Sequence, residues 1–136
     1  MYQYGVGLAF LATVRGDGGP RVHPMCPLIA DDGLFAFLIP SPKREDLHRD
    51  PRYAMHSFAA EHNEDAFYLT GKARSVDDAG ARRRLQDQFL RERGLPDPPD
   101  GFDEQELFEF TIERCLHTVT AGHGDPHPRH IPWRAP

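Results

Sequence analysis

Cysteine is scarce in this chain: only Cys26 and Cys115 occur in 136 residues, and they form no Cys-x-x-Cys spacing. Each lies in an apolar segment, so both are expected as reduced, packed thiols and not as a disulfide or redox pair. Long hydrophobic runs are missing too. None approaches the roughly 18 residues that a membrane span needs, and no basic region precedes the short apolar stretch near the N-terminus, so the expected setting is the cytoplasm. Lysine and arginine never cluster among aromatics and the net charge is -5, which excludes nucleic acid and anionic membrane as general partners. There is no GxSxG, P-loop or GxGxxG motif, and no internal repeat.

What is present fits a single domain over 1–136, long enough to bury a core. Gly7 to Val14 (GLAFLATV) is apolar on both faces, as a central strand covered from both sides would be. Arg15-Gly16-Asp17-Gly18-Gly19 supplies residues for a hairpin reversal. In Pro20 to Ile29, Val22, Pro24, Cys26 and Leu28 alternate with Arg21, His23 and Met25. Pro24 and Pro27 cannot donate ladder hydrogen bonds, so this second strand belongs at an edge, bulged or interrupted. A turn at Ala30-Asp31-Asp32-Gly33 leads to a deeply buried third strand, Leu34 to Ile39 (LFAFLI).

Ser41 and Pro42 then mark a helix start, and Asp50-Pro51 ends it near Arg49. Its first turn offers backbone N–H groups and the positive end of the helix dipole beside Lys43 and Arg44. That is a site for a phosphate; the plain alternative is a well-capped surface helix. Tyr53 to Ala59 and Ala66 to Val76 read as the fourth and fifth strands, with Gly71 marking a bulge or a close backbone approach. Asp77 to Arg93 places Ala81, Leu85 and Phe89 at four-residue spacing, an amphipathic helix with acidic residues at its start, Gly94 after its end and Arg82-Arg83-Arg84 on a solvated face. Leu95 to Phe102 is a proline-rich connector. Leu107 to Thr120 is a long sixth strand, and the Gly-, Pro- and His-rich residues 121–136 are expected to be irregular. These elements describe a mainly β (α+β) fold: a six-stranded antiparallel barrel with one short and one longer helix.

Three stretches in this order carry a resemblance: Phe10 to Val14 (FLATV) with Asp17-Gly18-Gly19-Pro20-Arg21-Val22-His23-Pro24; Ser41-Pro42-Lys43-Arg44-Glu45-Asp46-Leu47 with Asp50-Pro51-Arg52; and Gly71-Lys72-Ala73. Together they resemble the split β-barrel flavoproteins of the pyridoxamine 5'-phosphate oxidase-like superfamily, over about residues 7 to 90. The resemblance implies a six-stranded split barrel of Greek-key character and a homodimer binding FMN at the subunit interface. It makes Lys43 the first phosphate ligand, with Ser41 assisting and Arg44 alongside. Arg21 and His23 would contact flavin or phosphate from the second strand, while Met25, Leu38, Ile39 and Pro40 would approach the ring through packing and backbone groups. For Arg21 the alternative is a salt bridge to a neighbouring carboxylate.

Departures from the family pattern shape the functional expectation. The chain ends in Ile131-Pro132-Trp133-Arg134-Ala135-Pro136, without the arginine and histidine substrate motif of the oxidase itself, so vitamin B6 oxidation is not expected. His23 stands where the oxidase has a basic phosphate ligand. Asp46 replaces the asparagine usual in relatives, and its charge would weaken phosphate binding if it pointed inward. The sequence begins almost at the first strand, so the N-terminal helix of relatives is expected to be short or absent. The reading is an FMN-dependent oxidoreductase acting on a small organic molecule. Two alternatives stay open: a deazaflavin coenzyme served by a basic cleft of Arg21, Lys43, Arg44 and Lys72, or a non-catalytic flavin or haem binder. His117, His123, His127 and His130 lack a framework for a metal, Glu61 to Asp65 reads as a solvated turn, and Trp133 as a packing residue.

Overall fold

A computed structural model describes residues 8–136. The expected start of the first strand at Gly7 and the segment before it lie outside the described residues. The strands are β1 (Ala9–Val14), β2 (Pro20–Met25), β3 (Leu28–Ala30), β4 (Gly33–Leu38), β5 (Arg52–Ser57), β6 (Ala66–Ser75), β7 (Glu106–Val119) and β8 (Arg129–Arg134). Helix α1 (Pro42–Arg49) joins β4 to β5, and α2 (Ala79–Arg93) with a 3-10 turn at Phe102–Glu104 joins β6 to β7. All pairings are antiparallel, in the order β2-β1-β5-β6-β7-β4-β3, with β8 added alongside β7.

Six expected strands become eight for two physical reasons. The second strand breaks at Cys26–Pro27, where proline has no N–H to donate. Its halves, β2 and β3, stand at opposite ends of the hydrogen-bonded path. Because only two residues join those ends, the path curls back on itself as a split barrel. The other addition comes from the tail: within 121–136, expected to be irregular, Arg129–Arg134 pairs with β7 from Arg114↔Arg134 to Val119↔Arg129. His and Pro residues hid that strand, since they weaken alternation without preventing an edge pairing.

Other local features follow the chemistry of the residues. The first hairpin is closed by Arg15 N–H to Gly19 O at 2.8 Å, with Gly18 at φ 84°. Gly71 sits at a register shift between Thr70 and Gly71, and a Cβ there would lie 1.8 Å from the Thr111 carbonyl oxygen, so only glycine fits without moving the backbone. At α2, the Asp78 carboxylate caps Ala81 N–H and Gly94 closes the C-terminus in the left-handed region.

The core is divided between the two faces of β4. Leu34, Ala36 and Leu38 face the barrel interior with Leu11, Met55, Leu69, Phe108 and Phe110, while Phe35 and Phe37 face α2 with Leu85, Phe102 and Leu107. A strand apolar on both sides is therefore covered on both sides. Arg82, expected in solvent, lies over the Phe37 ring and donates to the Phe102 and Gln105 carbonyls, so its guanidinium ties α2 to the 3-10 turn. β1 differs from expectation: Ala9, Leu11 and Thr13 are buried inward, but Phe10 on its outer face is 40% exposed.

Candidate functional site

Helix α1 lies against β1 and β6 and carries two kinds of basic side chain. Ser41 takes the extended N-cap backbone, but its hydroxyl donates back to Ile39 O at 2.8 Å instead of accepting from the first turn. The carbonyl of Ser41 accepts from Arg44 N–H and Glu45 N–H at 3.1 and 3.2 Å. The expected helix bounds hold; the side-chain cap does not form. Lys43 and Asp46 are three residues apart and share a face. That face meets β2.

Lys43 is half-buried there beside Cys26. Desolvation pushes its ammonium below the ordinary lysine value, with Cys26 opposing. Asp46, 2% exposed, accepts from Thr13 Oγ1 at 2.8 Å and Arg21 Nε at 2.6 Å on one oxygen, and from Arg49 Nη2 at 2.7 Å on the other. Burial opposes ionisation of this carboxyl, yet the hydrogen bonds from Arg21, Arg49 and Thr13 outweigh it and hold the carboxyl at about 2. Asp46 points inward. It does so onto two guanidinium groups, leaving the Arg21, Arg49 and Asp46 cluster with one net positive charge.

Arg21 thus forms the carboxylate salt bridge that was its alternative reading, but only through Nε. Its side chain is 27% exposed, and among the described residues its Nη groups take no hydrogen-bond partner. In the β1–β2 register Thr13↔Arg21, Leu11↔His23 and Ala9↔Met25 put Arg21, His23 and Met25 on one face. His23 is exposed at this edge, whereas Met25 and Leu38 are buried in the barrel core, so a ligand would meet them only through backbone. Ile39, Pro40 and Ser41 form the loop leading into α1, with Ile39 53% exposed.

Arg44 leaves this seam. Its guanidinium donates to Glu104 O at 2.9 Å and lies 3.5 Å from Glu106, whose carboxylate also meets His48 at 2.8 Å. Lys72 projects from β6 opposite Arg52. Arg21 and His23 thus share one face of β2, Lys43 lies beside Cys26 just after that strand, and Arg44 turns to Glu104 and Glu106, with a longer bond of 3.4 Å to Leu38 O. Thr13, Asp46 and Arg49 are the cluster that sequence reasoning did not assemble. The Asp46–Arg49 spacing was visible in the sequence, but Thr13 enters only through strand register.

A second feature lies on the outer face of the sheet. Successive registers align Pro24, Phe10, His56, Tyr68, Leu116 and Pro132 across six strands. Phe10 stacks on Phe58 at 4.3 Å, and Tyr68 is exposed. Elsewhere, a cavity of about 600 Å³ is lined by Leu34, Phe67, Leu69, Phe110, Ile112 and Cys115, and its lining includes neither Arg21 nor Lys43. The C-terminal histidines are dispersed: His117 stacks on Phe67, His123 lies 3.2 Å from Glu61 O, and His130 lies 3.0 Å from Thr118 Oγ1.

No family model matches the chain, and no curated protein matches it. Solved structures do. The heme storage protein HutZ from Vibrio cholerae superposes with a TM-score of 0.66 at 17% identity, covering 79% of this chain and 82% of its own. A candidate pyridoxamine 5'-phosphate oxidase from Listeria innocua gives 0.67 at 16% identity, covering 82% and 87%. A heme binding protein from Mycobacterium smegmatis gives 0.70 at 15% identity, covering 96% of this chain and 53% of its own. The fold is the split β-barrel of the pyridoxamine 5'-phosphate oxidase-like proteins. Among the described residues, no helix of this split barrel is long and apolar enough to cross a membrane.

Proposed function

We propose that this split barrel is an FMN-dependent oxidoreductase acting on a small organic molecule, working as a homodimer with the cofactor at the subunit interface. The observation that carries the reading is the bond from Arg21 of β2 to Asp46 of α1, with Lys43 of the same helix desolvated beside Cys26. A phosphate monoester carries close to two negative charges, and this seam offers an ammonium and a guanidinium with open Nη donors, while the helix start adds little because Pro42 has no N–H and the Arg44 and Glu45 N–H groups bond to Ser41 O. The residues present therefore fit the phosphate end of FMN. Lys43 and the Nη groups of Arg21 would hold the phosphate. His23 and the Ile39–Pro40 backbone would border the ring, and Arg44 would brace the helix from its other side. When bound, the flavin supplies the two-electron chemistry; the protein's part is to bind, orient and exclude water.

The dimer follows from what the chain leaves uncovered. β1 is apolar on both faces, yet its outer face carries the exposed Phe10 and the cross-strand row that runs to Pro132. Six strands at about 4.8 Å spacing make that row about 24 Å long. A second copy presenting the same row would bury it by two-fold symmetry.

Haem is the second reading, favoured by the two solved neighbours named for it. Against a deazaflavin with a polyanionic tail stands the separation of the four cations expected to bind it, since Arg44 faces Glu106 and Lys72 faces outward beside Arg52. Denaturing release of whatever copurifies, followed by its absorption spectrum, tests the assignment. Released FMN supports it. A Soret band or a deazaflavin chromophore replaces it, and a colourless protein that takes up no added FMN refutes it.

A further inference from the structure

We propose that Asp46 is a positioning residue for the anion site: its buried carboxylate holds the Arg21 guanidinium by Nε and so presents the two Nη groups to the incoming phosphate. This rests on the reading that Arg21 belongs to a phosphate site. Asp46 is almost entirely enclosed, and both its oxygens act only as acceptors, one for Thr13 and Arg21, the other for Arg49. Arg49 is itself fixed, because the same Nη2 donates to Val14 O at 2.9 Å. The cluster thus joins α1 to β1 and β2 through one carboxylate. A long arginine side chain loses much rotamer freedom when it binds an anion, and that loss weakens binding. With Nε already anchored, most of the ordering of Arg21 is complete before the phosphate arrives.

A carboxylate is required because an asparagine amide has one acceptor and one donor. An amide at this position can satisfy Arg21 with Thr13 or Arg49, but it turns an N–H group toward the other guanidinium. Here the anion site is built as a carboxylate-braced arginine.

The test compares FMN with riboflavin, which has the same ring and no phosphate, by flavin fluorescence titration of the full chain and of Asp46→Asn. The expected result is about a tenfold loss of FMN affinity, equivalent to about 1.4 kcal/mol, with riboflavin affinity unchanged. Equal losses for both ligands, or no loss for either, overturn the proposal, since a purely structural carboxylate would not discriminate the phosphate. Should Asp46→Asn fail to fold, Thr13→Val removes one bond to the same oxygen and is expected to lower FMN affinity two- to threefold, again without affecting riboflavin; unchanged discrimination in that variant overturns the proposal. If the wild-type chain binds neither flavin, the cofactor reading fails separately. Inorganic phosphate then serves as the probe, read at the Arg21 Nε–H resonance by nitrogen-15 NMR. A phosphate response present in wild type and lost in the variant retains the positioning role; absence of any response in wild type overturns it.

Discussion

The two sides of α1 use the same kinds of residue for different ends. On one side Arg44 and His48 converge on Glu106, and the Glu104 carbonyl takes a further bond from Arg44, so the charge is answered by the chain itself. On the other, Lys43 lies beside Cys26 and Arg21 reaches in from the edge strand β2, with one carboxylate shared between Arg21 and Arg49 and donors left over. Lys43 and Arg44 are adjacent in sequence and both cationic. What separates them is the roughly 100° rotation per residue of a helix, which points Arg44 at the 3-10 turn and β7 and Lys43 at Cys26, just after β2. A basic pair at a helix start is therefore not one site but two positions, and partner geometry decides which is open.

Substitutions on the two sides should differ in size and kind. The largest stability effect is expected from Asp46→Ala, which leaves two guanidinium groups and the Thr13 hydroxyl without their acceptor; urea unfolding should show a loss of about 3 kcal/mol. Arg44→Ala on the opposite side should cost about 1 kcal/mol by the same measurement, because its ion pair is partly solvated. Between these in consequence lies the outer sheet face. Phe10→Arg should convert a dimer to a monomer in sedimentation velocity while leaving the barrel's circular dichroism unchanged, and an unaltered sedimentation coefficient would remove that face from the interface.

The smallest effect is one of pH. The Asp46 carboxyl is held at about 2 in the folded chain, below the ordinary carboxylate value near 4, so its stabilisation is complete above about pH 4 and is lost as pH falls through about 2. The stability difference between wild type and Asp46→Asn should accordingly narrow as urea titrations move from pH 5 down toward pH 2. A gap that stays constant over that range would mean that the carboxylate charge is not what stabilises the cluster.

Much of this architecture was legible before any coordinates. The Pro42–Arg49 helix, the bulge at Gly71, the interruption at Pro27 and the doubly buried LFAFL strand follow from backbone restrictions and apolar spacing that act locally, though the expected last residue of that strand, Ile39, lies beyond it and is exposed. Less visible were β8, whose sequence gives no alternation, and Phe102, which looked like part of a connector yet is fully buried under α2 between Phe37 and Phe89. Of the expected site residues, Arg21 and His23 share a face by strand alternation, and Lys43 lies on the side of α1 that carries Asp46. The inward turn of Asp46 onto Thr13 and Arg21 depends on register between elements 25 to 33 residues apart, which a linear reading does not fix.

The measurement that bears most directly on the central claim is a pair of FMN titrations on two neighbouring substitutions, Lys43→Ala and Arg44→Ala. Lys43→Ala is expected to weaken FMN binding more than about tenfold with its unfolding midpoint preserved, whereas Arg44→Ala should lower the midpoint and leave FMN affinity within about twofold of wild type. Equal FMN affinity in Lys43→Ala and wild type would contradict that claim.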